Sequence, residues 1–217
     1  MRHRDRLRGL YVITPENPDA AGWLARVDAA LRGGARILQY RDKSGVAARQ
    51  RETALALRAL TRECGALFIV NDSVPLALAV NADGVHLGGD DGDLAAAREA
   101  LGGDRIVGAS CYADFARARA AARAGADYVA FGAVFASPTK PHAVHADLAL
   151  FGRCRDELGV PSCAIGGITL DNAASVAAAG ADMLAVITDV FGEGDAAAIE
   201  ARVGAYRMLF REDFHEP

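Results

Sequence analysis

Along the chain, short apolar runs rich in Val, Ile, Leu and Ala alternate with longer Ala-rich segments of helical period. The apolar runs fall at residues 10–14, 36–41, 66–72, 84–88, 105–110, 128–132, 161–167 and 183–188, which predicts eight strands. Segments 46–64, 94–101, 113–124, 147–158 and 171–179 have the length and spacing of helices, while 74–80 has room for only two turns. Strand and helix in strict alternation is the pattern of parallel βα units packed around one core.

A repeat refines this. Gly-Gly-Ala-Arg-Ile-Leu at 33–38, Asn-Ala-Asp-Gly-Val at 81–85, Ala-Gly-Ala-Asp-Tyr-Val at 124–129 and Ala-Gly-Ala-Asp-Met-Leu at 179–184 each close a helix and open a strand. Aligned on Ala35, Ala82, Ala126 and Ala181, they are 47, 44 and 55 residues apart, close to two βα units each time. Recurrence on every second strand suits a closed (β/α)₈ barrel, the TIM-barrel fold, whose interior packs in layers drawn from alternate strands. A doubly wound open sheet gives no reason for that rhythm.

The 217 residues suit a single barrel domain, with residues 1–9 expected to be a solvated basic tail. Net charge is −4, which supplies no basic field for nucleic acid, and no apolar run is long enough to cross a membrane. A soluble, cytoplasmic protein acting on small molecules is expected. Cys64, Cys111, Cys154 and Cys163 show neither a Cys-x-x-Cys motif nor zinc spacing, so free thiols are expected. Of 24 basic side chains only Lys43 and Lys140 are lysines.

In such barrels the active site lies where the strands end. The second strand ends Gln39-Tyr40-Arg41-Asp42-Lys43, the third Asn71-Asp72, and the fourth runs into Gly88-Gly89-Asp90-Asp91. The fifth ends at Ser110, and the sixth leads to Ser137-Pro138-Thr139-Lys140. The seventh ends Gly166-Gly167 and the eighth Ile187-Thr188. Both lysines therefore fall on one face. Asp72 and Asp91 offer hard oxygens to Mg²⁺, which takes one or two carboxylates beside water and phosphate oxygens. Arg41, Lys43 and Lys140 would balance the remaining phosphate charge. Asp93 is assigned to a helix N-cap, and capping of the short third helix is the alternative for Asp72. Gly166-Gly167 and Thr188 match the phosphate site that many barrels build after strands seven and eight. His86 is expected to be an interior residue, and His142 and His145 to lie in a loop near Lys140. Nothing pairs Cys111 with a base.

The chain resembles the thiamine phosphate synthase family from Leu10 to about Phe191. Gln39-Tyr40-Arg41-Asp42-Lys43 is similar to its Gln-x-Arg-Glu-Lys pattern, and Ile69-Val70-Asn71-Asp72, Asp83 through Gly88, Pro138-Thr139-Lys140 and Ala164 through Ile168 follow in order. The resemblance implies a (β/α)₈ barrel that joins hydroxymethylpyrimidine diphosphate to a thiazole phosphate with loss of pyrophosphate, through a dissociative route. It implies that Gln39, Tyr40, Arg41, Asp42, Lys43, Asn71, Ser110 and Lys140 bind the pyrimidine diphosphate, with Arg41, Lys43, Ser110 and Lys140 as the catalytic set. Ser137, Pro138, Thr139, Gly167, Ile187 and Thr188 would hold the thiazole phosphate, and Asp72 and Asp91 would bind Mg²⁺. Gly89-Asp90, Ser137, Thr188 and Cys111-Tyr112 depart from the common family residues, and the last pair would alter pyrimidine contacts. Two rivals are a related thiazole tautomerase and a non-catalytic sensor of thiazole phosphate. Neither has a use for Asp72, Asp91, Lys43 and Lys140 together.

Removing one preorganised charge from a leaving group costs roughly 10²-fold or more in rate. Lys140→Ala should therefore slow pyrophosphate release by about that factor, and a variant with the wild-type rate would remove Lys140 from the catalytic set.

Overall fold

The apolar runs form β1 (Gly9–Ile13), β2 (Ile37–Tyr40), β3 (Leu67–Asn71), β4 (Gly84–Leu87), β5 (Ile106–Tyr112), β6 (Tyr128–Gly132), β7 (Ser162–Ile165) and β8 (Met183–Val186). Each pairs in parallel with the next, and β8 pairs with β1 to close the barrel. In this computed structural model the residues described are 3–16, 22–89, 92–136, 145–192 and 194–210. Strand limits depart from the expected ones by one or two residues at most ends, because the flanking residues begin the turns.

The helices are α1 (Trp23–Arg32), α2 (Ala47–Glu63), α3 (Val74–Ala79), α4 (Leu94–Leu101), α5 (Phe115–Arg123), α6 (Ala149–Glu157), α7 (Leu170–Ala178), α8 (Thr188–Phe191) and α9 (Ala196–Met208). α1 and α9, which the sequence reading does not name, pack against each other. Gly33, at the end of α1, permits that approach, since a Cβ there would lie 2.7 Å from the Glu200 carbonyl oxygen.

Strand residues are buried on both faces, so the core has two layers. Tyr11, Ile13, Ile37, Leu67, Ile69, Ile106, Tyr128, Ala130, Cys163, Met183 and Ala185 fill the barrel interior. Their strand neighbours, among them Val12, Leu38, Phe68, Val85, Val107, Val129 and Leu184, pack outward against the helices. Leu7 joins the inner cluster and is 2% exposed, so the basic segment is not wholly a solvated tail. A 3₁₀ turn at His3–Arg6 precedes Leu7, which closes the barrel below β1.

The repeat has a structural use. Asp83, Asp127 and Asp182 each accept the backbone N–H of the preceding strand, from Phe68 (2.7 Å), Val107 (2.8 Å) and Ser162 (2.7 Å). A carboxylate at the start of β4, β6 and β8 thus satisfies an N–H at the start of β3, β5 and β7. Arg58 grips Asp83 through two bonds of 2.7 and 3.1 Å, and Arg98 pairs with Asp127. The repeat at β2 carries Arg36 in place of Asp.

No helix among the described residues is long and apolar enough to cross a membrane. Breaking a buried ion pair costs about 3–5 kcal/mol, because the remaining charge is stranded. Asp83→Ala should lower stability by about that amount in urea denaturation, and a loss below about 1 kcal/mol would contradict the role given to the pair.

Candidate active site

Side chains on a strand alternate faces, so the inward series at the C-terminal ends of the strands can be read from the inner cluster. It places Gln39 two residues after Ile37, Asn71 two after Ile69, and Ser110 in register with Gly108 and Ile106. Ile165 and Ile187 pack on the same cluster and are half-buried. Gln39 is 3% exposed and donates to the Tyr11 hydroxyl at 2.8 Å, while Ser110 meets His86 Nε2 at 2.9 Å. These residues line the bottom of the barrel mouth.

Above them the chain turns into charged loops. Asp72 directly follows β3 with φ +63, a left-handed conformation open to Asp at small cost. Its Oδ2 accepts Asn71 Nδ2 at 2.6 Å and Lys43 Nζ at 2.7 Å. Ser73, and not Asp72, caps α3, accepting the Leu76 N–H at 3.2 Å. The alternative duty considered for Asp72 is thereby filled by its neighbour. Likewise Asp93 caps α4 through the Ala95 N–H at 2.8 Å. Arg41 is set in place by its backbone N–H on buried Thr14 Oγ1 (3.0 Å) and pairs through Nη1 with Glu16 (2.5 Å). Glu16 was not anticipated from sequence.

Strand alternation turns the Tyr40 side chain outward beneath the helices, away from Gln39. The Tyr40 hydroxyl donates to Asp42 Oδ2 at 3.1 Å, and Asp42 Oδ1 takes the Ser44 N–H at 2.7 Å. Burial would raise the Asp42 carboxyl, but the bonds from Ser44 and Tyr40 and the nearby Arg49 outweigh it and hold it below the usual range. Asp42 organises the loop that presents Lys43.

After β7, Gly166 (φ +101) and Gly167 (φ +64) are required twice over. Their backbone is left-handed, and a Cβ on Gly167 would lie 2.7 Å from the Ala136 carbonyl oxygen. Val134 and Phe135 donate to the carbonyls of Ile165 and Gly166 at 3.0 and 3.1 Å, which ties the segment after β6 to this corner. Asn172 latches the corner from α7, donating to the Gly167 carbonyl at 2.9 Å. Thr188 is exposed and opens α8. The Tyr206 hydroxyl, on α9, fixes α8 by donating to Asp189 Oδ2 at 2.7 Å. Asp90, Asp91, Ser137, Pro138, Thr139, Lys140 and His142 lie outside the described residues. His145 is exposed.

No group of three or more His, Cys, Asp or Glu side chains suited to a metal occurs among the described residues. Cys111 is buried, and burial pushes its thiol up to about 12, which excludes it as a nucleophile at neutral pH. His86 is 8% exposed, as its interior reading expected, and burial lowers its pKa to about 4.

A closed parallel barrel carrying ammonium, carboxylate and amide groups at its C-terminal mouth and a glycine corner after β7 has the layout of a (β/α)₈-barrel enzyme. Comparison with known proteins narrows the class. Residues 10–190 match the family model described as thiamine monophosphate synthase, and the chain belongs to that family. A thiamine-phosphate synthase of Aromatoleum aromaticum is 60% identical over 94% of this chain and 97% of that protein. One from Thioalkalivibrio sulfidiphilus is 56% identical over 93% and 96%. The solved thiamine phosphate pyrophosphorylase of Pyrococcus furiosus superposes with a TM-score of 0.83 at 37% identity, covering 97% of this chain and 98% of that one.

Neutral His86 sets a pH window. The unfolded chain takes up a proton as pH falls through 6.5, whereas the folded chain waits until about 4. The stability carried by the neutral ring is complete above pH 6.5 and is lost as pH falls toward 4. Urea midpoints measured from pH 7 to 4 should fall less steeply in His86→Gln than in the wild type; parallel profiles would contradict the buried neutral ring.

Proposed function

We propose that the chain is a thiamine-phosphate synthase that transfers the hydroxymethylpyrimidine group from its diphosphate to a thiazole phosphate. The observation that carries this reading is the cluster of Lys43 Nζ and Asn71 Nδ2 on Asp72 Oδ2, at 2.7 and 2.6 Å, beside the inward Ser110 and Gln39. The Lys43–Asp72 pair is solvated, with side-chain exposures of 51% and 24%, so it is worth little to stability and can be exchanged for contacts to a ligand.

In this reaction the bond between the pyrimidine methylene carbon and the diphosphate oxygen breaks, and its electron pair leaves with pyrophosphate. The thiazole nitrogen then forms the new carbon–nitrogen bond. No general base is required. The protein's task is to stabilise the leaving charge and hold the two partners close. Lys43, Arg41 and Lys140 would supply positive charge, and Ser110 and Asn71 hydrogen bonds, to the diphosphate. The corner at Gly167 with Ile187 and Thr188 would receive the thiazole phosphate, joined by Ser137, Pro138 and Thr139.

Asp72, an oxygen donor at the rim, suits Mg²⁺ and would hold it with Asp91. The ion would supply charge to the diphosphate oxygens. A soluble, cytoplasmic location belongs to the same reading.

Purified protein given both substrates should form thiamine phosphate and pyrophosphate in equal amounts when Mg²⁺ is present and not when it is chelated. Asp72→Asn should need more Mg²⁺ for half its maximal rate. No product from the two substrates at any Mg²⁺ concentration would overturn the assignment.

A further inference from the structure

Five side chains from five strands form one hydrogen-bonded line through the barrel. Gln39 Nε2 donates to the Tyr11 hydroxyl at 2.8 Å, and the Tyr11 and Tyr128 hydroxyls meet at 2.9 Å. The Tyr128 hydroxyl meets His86 Nδ1 at 2.9 Å, and His86 Nε2 meets Ser110 Oγ at 2.9 Å. Tyr11 and Tyr128 are 1% and 0% exposed, and burial holds both phenols well above their ordinary pKa, so each keeps its proton. The barrel makes room for this line. Gly108 faces Tyr128 across the β5–β6 pair, where a Cβ would come within 2.1 Å of the phenol Cζ.

Counting protons gives the line a direction. An amide nitrogen only donates, so the Tyr11 oxygen accepts from Gln39 and its own proton goes to Tyr128. Tyr128 has then accepted one bond, and its proton goes to His86 Nδ1. That nitrogen must be an acceptor, which leaves the ring proton on Nε2, directed at Ser110 Oγ. Ser110 is obliged to accept, and its hydroxyl proton has no place inside the line; at the other end the second hydrogen of the Gln39 amide is likewise outside it.

We propose that Tyr11, Tyr128 and His86 are positioning residues that carry a fixed donor direction from Gln39 to Ser110, so that the Ser110 hydroxyl is held as a donor toward an anionic oxygen of the diphosphate. This rests on the reaction assigned above. The two ends of the line are both mouth residues, whereas a network serving stability alone has no reason to terminate there. It acts by preorganisation. A hydroxyl already turned outward needs no rotation as negative charge develops on the leaving oxygen. The same order commits one Gln39 amide hydrogen to Tyr11 and leaves the second hydrogen to donate, and the carbonyl oxygen to accept, toward a ligand.

Two measurements test it. Long-range ¹H–¹⁵N correlation spectra of the wild-type protein read the His86 tautomer without turnover, and the Nε2–H form is expected. Tyr128→Phe keeps the ring against Gly108 and removes only the hydroxyl. It should lose the fixed tautomer and lower kcat about tenfold, the worth of one well-placed hydrogen bond, with KM for thiazole phosphate unchanged. In a Ser110→Ala background the same substitution should cost almost nothing more, because its effect passes through Ser110. An Nδ1–H ring in the wild type reverses the line and overturns the proposal, as does an undiminished loss in the Ser110→Ala background. A folded wild-type protein that forms no thiamine phosphate refutes the reaction instead, and the tautomer still decides the direction of the line.

Discussion

Closure of the sheet, with its two-residue alternation of side chains, is the constraint on which the site depends. Once β8 pairs with β1, every strand residue must point into the barrel or out to the helices, and adjacent residues cannot share a destination. Gln39 goes in and Tyr40 goes out; Ser110 goes in and Cys111 goes out. The chemistry of the mouth is therefore selected by register, and a shift of one residue would exchange the amide and the hydroxyl for a phenol and a buried thiol.

The two ends of the barrel use charge differently. At the N-terminal end Asp83 and Asp127 are held by arginines, and both members of the Arg58–Asp83 pair have only 13% of the side chain exposed. Such a pair is committed, since removing either partner strands the other in a poorly solvated place. At the C-terminal end Lys43 and Asp72 meet in partial solvent and can change partners. Stability is gathered at one end and exchangeable charge at the other.

Much of this was legible in the sequence. The eight strands could be read because each is a continuous apolar run, and the closed barrel because a motif returned on alternate strands. The physical meaning of that motif, an aspartate satisfying the neighbouring strand's N–H, was not legible, since it is a contact between strands. Asn71, Asp72, Lys43 and Ser110 could be picked out as candidates because the sequence places them at or just beyond the ends of apolar runs. That Tyr40 turns outward and bonds to Asp42 was not legible, because a contiguous motif hides the alternation of its members. α1 and α9 were not named, and Tyr11 and Tyr128 gave no signal beyond being aromatic. Their partners come from strands far apart in sequence, Tyr11 lying 117 residues from Tyr128. Gly108, which makes room for the Tyr128 ring, is opposite it only through the β5–β6 register.

The account turns on one rim gathering the groups that receive a departing diphosphate. A crystal structure of the protein with pyrophosphate, Mg²⁺ and thiamine phosphate would test it directly. Pyrophosphate oxygens are predicted within hydrogen-bond reach of Lys43 Nζ and Ser110 Oγ, with the metal on Asp72. Pyrophosphate bound elsewhere, such as among the arginines at the opposite end of the barrel, would contradict the account.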